Sequence, residues 1–127
     1  MGKVVEKVKL TSLFDPAKSV EVEAVVDTGA MMLVLPQNLI DELGLEKIDE
    51  VRVKYADNHT AIRKIYGAIR LELKGRAGIF DALAEVEGSQ PLIGQIVLER
   101  LDLVIEPTAR TLIPNPRSPE MPMVEIL

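Results

Sequence analysis

A single acidic turn, Asp27-Thr28-Gly29, interrupts an apolar run that extends from Ala24 to Leu35. Burying an unpaired carboxylate among apolar side chains is costly, so an acid at this place needs a partner. Gly29 lets the backbone turn tightly and approach another group. The same tripeptide is also ordinary turn chemistry. Surface turns seldom lie between two apolar segments, however, and the pattern therefore predicts a buried strand that ends in an acid placed to do chemistry.

The composition leaves carboxylates as the main source of catalytic groups. The 127 residues are enough for one domain with a substantial core, and they include no cysteine and one histidine, His59. Disulfides, thiol catalysis and cysteine-based zinc sites are therefore excluded, and one histidine cannot form a multi-histidine metal site. A Ser-His-Asp triad would have to use His59, and lysine or tyrosine are lesser candidates for catalysis. We expect no metal and no cofactor.

Charge and hydropathy restrict the partners. The formal net charge is −5 and no block of basic residues occurs, so we expect no nucleic-acid partner. The sequence has no long uninterrupted apolar run of the kind that crosses a bilayer, so we expect no membrane partner. The first residues alternate polar with apolar, which is unlike a signal peptide. A cytoplasmic location is the resulting expectation.

Hydrophobic periodicity predicts an all-β domain with two short helices. The helices are expected after Pro36 and after Gly94, over residues 37–43 and 95–101. A polar cluster at residues 57–60 separates two alternating segments and predicts a β-hairpin with a polar tip. The predicted strands are residues 3–10, 19–26, 31–35, 51–55, 62–66, 68–74, 79–86, 103–105 and 110–113.

Prolines mark the end of the predicted domain at residues 1–113. Residues 114–127 contain Pro114, Pro116, Pro119 and Pro122 and read as an extended tail. Two interpretations remain for it. Residues 114–122 are disordered, as their composition suggests, or residues 123–127 form an interface strand together with residues 4–10.

Two motifs resemble the retroviral-type, or retropepsin-like, aspartic protease family. The first is Val26-Asp27-Thr28-Gly29-Ala30, followed by an apolar strand and a short helix. The second is Leu92-Ile93-Gly94, followed by a helix and Leu101-Asp102-Leu103-Val104-Ile105. The predicted hairpin lies between them, where the family has its flap. The resemblance covers residues 3–113, and the order of its parts is more specific than either motif.

This resemblance implies a single-domain acid-protease barrel that acts as a homodimeric endopeptidase on an extended peptide or unfolded protein. The chain has one Asp-Thr-Gly, so Asp27 of each subunit would supply one of the two catalytic carboxylates. Thr28 would hydrogen-bond across the dimer, and Gly29 and Ala30 would line the substrate channel.

The resemblance also assigns supporting residues. Ile93 and Gly94 would pack beneath the catalytic loop. The hairpin would close over the substrate and exclude water. Its expected residues are Tyr55, Ala56, Asp57, Asn58, His59, Thr60, Ala61 and Ile62.

Several of these residues have a simpler interpretation beside the functional one. Tyr55 is as well explained by cross-strand packing as by substrate contact. Asp57 and His59 are interpreted as solvated turn residues. Of Met31 and Met32, at least one is expected to pack in the core rather than line a pocket. Surface positions are expected for Asp102 and for Arg63-Lys64.

The chain departs from the viral members at two positions. Those enzymes carry an acid directly after Asp-Thr-Gly-Ala and an arginine directly after the second-motif glycine, whereas this chain has Met31 and Gln95. Both members of the pair are absent together, so no charge is left unpaired, and we interpret the chain as a cellular or bacterial relative. Two alternatives remain: a dimerisation or peptide-binding module with little or no proteolysis, and a chance Asp-Thr-Gly in an unrelated β-barrel.

Overall fold

A computed structural model describes residues 3–127 of the chain. Within that range the chain forms nine strands and two short helices. In chain order these are β1 Val4–Ser12, β2 Ser19–Val26, β3 Leu33–Pro36, α1 Gln37–Glu42, β4 Glu46–Lys54, β5 Thr60–Leu73, β6 Arg76–Glu85, β7 Leu92–Ile93, α2 Gln95–Leu101, β8 Leu103–Glu106 and β9 Thr111–Pro114. The predicted all-β class with two short helices is confirmed.

Six of the strands close into a barrel. Their order is β1-β2-β7-β3-β6-β5, and β1 pairs again with β5 to complete the circle. Strand β4 extends this sheet on the free side of β5, and β8 and β9 form a separate two-stranded sheet. Because the barrel closes between β1 and β5 without β4, the β4–β5 hairpin lies beside the barrel.

Apolar and polar side chains alternate along β1 and β2, and the apolar ones define the face of each strand that packs in the core. Val8 and Leu10 are buried, whereas the intervening Lys9 is exposed. In the antiparallel register Val8 lies opposite Val22 and Leu10 lies opposite Val20. Each fully buried Leu or Ile side chain contributes roughly 1.5–3 kcal/mol relative to exposure. The side chains that are almost fully buried in the hydrophobic core are Val8, Leu10, Leu33, Leu35, Ile40, Leu43, Ile69, Leu71, Leu73, Ile93, Leu101 and Leu112.

The structure differs from the predicted strands in the hairpin. The segments at 62–66 and 68–74 form one long strand, β5, with an irregular register between Tyr66 and Ile69. Strand β4 begins at Glu46, well before the predicted start. Its first residues are all exposed, so they carry no inward-facing apolar positions and give no alternating signal.

Asp102 is buried, and its predicted surface position is wrong. It follows α2 in the left-handed conformation with a φ of 52°. Its carboxylate accepts hydrogen bonds from the Ser118 hydroxyl at 2.5 Å, the Asn115 amide at 3.1 Å and the Met123 backbone N–H at 3.3 Å. Arg117 pairs with the same carboxylate at 3.2 Å. The hydrogen bond from Ser118, together with those from Arg117, Asn115 and Met123, lowers the pKa of Asp102 to about 2.

These contacts attach residues 115–123 to the end of α2. A second attachment comes from the buried Arg76 on β6, which donates to the backbone carbonyls of Leu101 and Asp102, each at 2.9 Å, and to the Ser118 carbonyl. The disordered interpretation of this part of the tail is therefore wrong. The local sequence pattern gives no sign of these contacts, because Asp102 and its partners are 13 to 21 residues apart in the chain. An interface strand at residues 123–127 stays a prediction.

Candidate active site

The Asp27 carboxylate lies in a tight loop that joins β2 to β3. The backbone N–H of Gly29 donates to Oδ1 of Asp27 at 2.9 Å, and the N–H of Ala30 donates to the Asp27 carbonyl at 3.1 Å. A Cβ on residue 29 would lie 3.1 Å from the same Oδ1 atom. The glycine therefore both orients the carboxylate and leaves space beside it.

Strand β7 and the residue before it hold the N-terminal side of the Asp27 loop. Strand β7 runs parallel to the end of β2, with Val26 opposite Ile93. The N–H of Val25 donates to the Pro91 carbonyl at 2.9 Å, and the N–H of Asp27 donates to the Ile93 carbonyl at 3.0 Å. Because Ile93 itself is fully buried, the backbone of the acid is fixed to the barrel wall.

The start of helix α2 holds the C-terminal side of the Asp27 loop. The first N–H groups of a helix have no partner inside the helix. Here the N–H of Gln95 donates to the Ala30 carbonyl at 2.8 Å, and the N–H of Ile96 donates to the Met31 carbonyl at 2.9 Å. The start of α2 and the turn after the acid therefore satisfy each other's backbone groups.

Gly94 lies between these two attachments, where no side chain fits. A Cβ there would lie 2.2 Å from the Met32 carbonyl oxygen and 2.8 Å from that of Ala30. Close approach of two backbones is the reason for glycine at this position. The structure thus brings together the loop and support residues predicted from the two motifs, Asp27, Thr28, Gly29, Ala30, Ile93 and Gly94.

The acid is less buried than the sequence predicts. In the single chain Asp27 is half-buried, and both Thr28 and Gly29 are exposed. The apolar residues on either side belong to β2 and β3, whereas the loop itself projects from the end of the barrel. The burial predicted for Asp27 is therefore incomplete in one chain on its own.

The hairpin tip, residues 55–59, is a closed turn. The N–H of Tyr55 donates to the His59 carbonyl, and the N–H of Asn58 donates to the Tyr55 carbonyl, both at 2.9 Å. Oδ1 of Asp57 accepts from the backbone N–H of His59 at 3.1 Å and also contacts its ring, and these bonds lower the pKa of Asp57. Asp57 and His59 are exposed, as their interpretation as turn residues predicts. The neighbouring predicted residues Ala56, Thr60 and Ile62 are exposed, and Ala61 is half-buried.

Tyr55 is not a simple cross-strand packing residue. Its hydroxyl donates to the Glu85 carboxylate and accepts from Nε of Arg63 at 2.8 Å. Nε of Arg63 also lies 3.3 Å from the second oxygen of Glu85. Burial and then the hydrogen bond to Glu85 raise the pKa of Tyr55. Arg63 is half-buried in this cluster, so its predicted solvated position is wrong, whereas Lys64 is exposed as expected.

The two positions that depart from the viral pattern make no side-chain link. Met31 is 70% exposed, and the Gln95 side chain donates to Glu99 on its own helix at 3.2 Å. Met32 is half-buried and lines a recess of about 220 Å³ beside Ile79 and Ile96. Neither methionine is fully buried, so the expected core packing is not seen. The backbone bonds to α2 brace the loop at this place instead.

Comparison with known families decides the classification. A family described as aspartyl protease matches residues 16–95, which include the Asp27 loop, the hairpin and Gly94. The chain belongs to this aspartyl protease family. The resemblance to retropepsin-like enzymes and the single-domain retropepsin-like fold are thereby confirmed, and the unrelated-barrel alternative is excluded. No curated protein matches the chain.

The remaining features of the described range concern membranes and metals. None of the helices within residues 3–127 has both the length and the apolar character needed to span a bilayer. Over the same range, no three side chains of the metal-binding acidic, histidine or cysteine types lie close enough together to hold an ion.

Proposed function

We propose that this aspartyl protease family member is an endopeptidase that acts as a homodimer, with Asp27 of each subunit forming the catalytic pair. The observation that carries the proposal is the Asp27 carboxylate itself, oriented by the Gly29 N–H at 2.9 Å. Its loop is fixed on both sides by backbone bonds to residues 91–96. A rigidly supported acid at the open end of a barrel is a costly arrangement for a protein that only binds.

A second copy of the chain is needed because one chain supplies one such acid. Asp-Thr-Gly occurs once in the sequence. Among residues 3–127, the Asp27 side chain has one hydrogen bond, and it comes from Gly29 rather than from another carboxyl group. A twofold axis beside the exposed Thr28 and Gly29 would bring two Asp27 side chains face to face and complete the burial that one chain lacks.

The proposed chemistry uses this pair as acid and base. Two carboxyl groups about 3 Å apart cannot both ionise, so they share one proton. The ionised member takes a proton from a water molecule that attacks the scissile carbonyl, and the protonated member donates its proton to the carbonyl oxygen. Collapse of the tetrahedral intermediate then breaks the C–N bond: the carboxyl group that took its proton from water gives it to the leaving nitrogen, and the other carboxylate takes its proton back from the hydroxyl group of the intermediate.

The hairpin would bind the substrate. Residues 55–62 form the turn after β4 and the first residues of β5, and an extended peptide beneath them would gain strand-type hydrogen bonds and lose contact with water. We therefore propose extended peptides or unfolded protein segments as substrates. A cytoplasmic location and the absence of nucleic-acid and membrane partners stay part of this proposal.

The test compares wild type with Asp27→Asn on a peptide library between about pH 4 and 7, the region expected for a shared-proton pair. We expect a bell-shaped pH profile in wild type and no cleavage by the variant. Asp81→Asn is the matched control, since Asp81 is exposed and lies outside the loop. Sedimentation is measured on the same samples. A dimer that cuts no peptide supports the binding-module alternative, and a strict monomer at high concentration contradicts the proposal.

A further inference from the structure

Glu85 lies at the point where the barrel meets the hairpin. It is the last residue of β6 and pairs in parallel register with Pro36 of β3, next to the buried pair Leu35 and Ala84. Its backbone therefore belongs to the barrel wall. Its side chain is 19% exposed, which is low for a carboxylate at a strand end.

The carboxylate of Glu85 contacts both strands of the hairpin. Tyr55, directly after β4, donates its hydroxyl to one oxygen. Arg63, on β5 opposite Val51, lies 3.3 Å from the other oxygen and donates to the Tyr55 hydroxyl at 2.8 Å. Exposed ion pairs contribute little on average. This pair is partly buried, and its shared hydroxyl makes it a three-membered network, so the charge-assisted bonds are stronger and less screened by salt.

Tyr55 connects this network to the hairpin tip. Its ring stacks on His59 with centroids 4.4 Å apart and an angle of 11° between the planes. Its backbone bonds to His59 and Asn58 close the turn. A displacement of the Tyr55 ring would therefore displace the whole tip.

We propose that Glu85 is a positioning residue that, through Tyr55 and Arg63, sets the position of the hairpin tip over a bound peptide. The proposal rests on the proposed function, since the peptide is the substrate named there. Glu85 does not touch the reacting atoms. It acts on substrate binding, because loosening the tip weakens the contacts to the peptide and leaves the Asp27 loop unchanged.

The kinetic test uses Glu85→Gln and Glu85→Ala, with Glu87→Gln as the matched control at an exposed position two residues away. We expect KM to rise about tenfold in Glu85→Ala and by less in Glu85→Gln, which keeps an acceptor for Tyr55. We expect kcat to stay within about twofold of wild type in both. A fall in kcat at unchanged KM, or no change in either constant, overturns the proposal.

A second measurement does not depend on catalysis. Amide hydrogen exchange by NMR follows the N–H groups of Tyr55 and Asn58, which close the tip, and that of Asp27, which bonds to Ile93. In Glu85→Ala the tip amides should exchange about tenfold faster and the Asp27 amide should not change. Unchanged tip exchange overturns the positioning role, whether or not the protein cuts peptides. Faster tip exchange in a protein whose wild type cuts nothing supports the role of Glu85 in holding the tip and contradicts only the proposed function.

Tyr55→Phe is the second variant should Glu85→Ala fail to fold. It removes the hydroxyl and keeps the stacked ring, and the same rise in KM and in tip exchange is expected. Tyr66→Phe is its matched control, since within the described part of the chain the Tyr66 hydroxyl accepts only a long hydrogen bond, from Gln37 at 3.5 Å. A Tyr55→Phe variant identical to Tyr66→Phe in both measurements overturns the proposal.

Discussion

Gly94 contacts the backbone of Met32 so closely that a Cβ on residue 94 would lie 2.2 Å from the Met32 carbonyl oxygen. Met32 lies five residues after Asp27, so this contact links the second sequence motif to the segment that directly follows the first. It has no tolerance for a larger side chain because the obstacle is backbone, which cannot rotate away. The geometry of the acid therefore depends on a glycine distant in sequence.

Gly94→Ala should displace the Asp27 loop. We expect a loss of about 1–3 kcal/mol in the free energy of unfolding, as for other overpacked sites, together with loss of peptide cleavage. Urea denaturation and the cleavage assay measure the two effects. Gly75→Ala is the comparison, because position 75 has a φ of 77° and an added Cβ there would have no atom of residues 3–127 within 4 Å. Equal effects of the two substitutions on cleavage would contradict the importance of the contact.

The parts of the fold predicted from sequence are those with a local signal. Strands such as β1 alternate because one face is buried, and the two motifs contain the residues that the loop contacts require. Glu85 had no such signal, since its partner Tyr55 is 30 residues away and the three residues before Glu85 are all buried. The half-buried state of Asp27 had no local signal either, because the apolar residues on each side of the loop belong to β2 and β3 and not to the loop itself.

Asp102→Asn should loosen the tail. The substitution removes the negative charge that accepts from Ser118 and Arg117 and leaves an amide that also donates. Trypsin should then cut after Arg117 about tenfold faster, because cleavage follows the population of the open tail. Cleavage after Arg110 serves as the internal reference, and Asp41→Asn, at an exposed position on α1, is the matched control. An unchanged rate after Arg117 would show that the tail is held by other contacts.

Acid should release the same contacts in wild type. The pKa of Asp102 is lowered to about 2 by its hydrogen bonds, from an ordinary value of 3.8. Because the pKa is lowered on folding, the carboxylate stabilises the folded tail at pH values above its ordinary pKa. This contribution is lost as the pH falls toward 2. The Met123 amide, which donates to Asp102 at 3.3 Å, should report the change by NMR between about pH 4 and 2. The Asp102→Asn variant should show no corresponding transition.

Glu6 should contribute to stability through the link between β1 and β9. Its buried carboxylate accepts from the Leu112 N–H and the Thr111 hydroxyl, both at 2.6 Å, and pairs with Lys74 at 3.6 Å. Burial alone would raise the pKa of Glu6, but these partners outweigh it and the pKa is lowered. Glu6→Ala should therefore cost about 2 kcal/mol at neutral pH, and less as the pH falls through the pKa of the folded state.

Urea denaturation at two pH values measures the Glu6 effect. Glu21→Ala on the exposed face of β2 is the matched control and should change the free energy of unfolding by less than about 0.5 kcal/mol. A cost for Glu6→Ala that does not decrease in acid would contradict the charge-based account.

Thr28 gives the most direct test of the dimer. Its side chain is exposed in the single chain. The loop that contains it is fixed by backbone hydrogen bonds to residues 93–96. If two such loops meet, Thr28→Ala removes a hydrogen bond from each, and the dimer dissociation constant should rise about tenfold or more with little change in the fold. Sedimentation velocity over a range of concentrations measures the constant. Thr108→Ala in the exposed turn after β8 should leave it unchanged. Equal dissociation constants for Thr28→Ala and wild type would place the dimer interface away from the Asp27 loop, and a catalytic pair across the twofold axis would then be untenable.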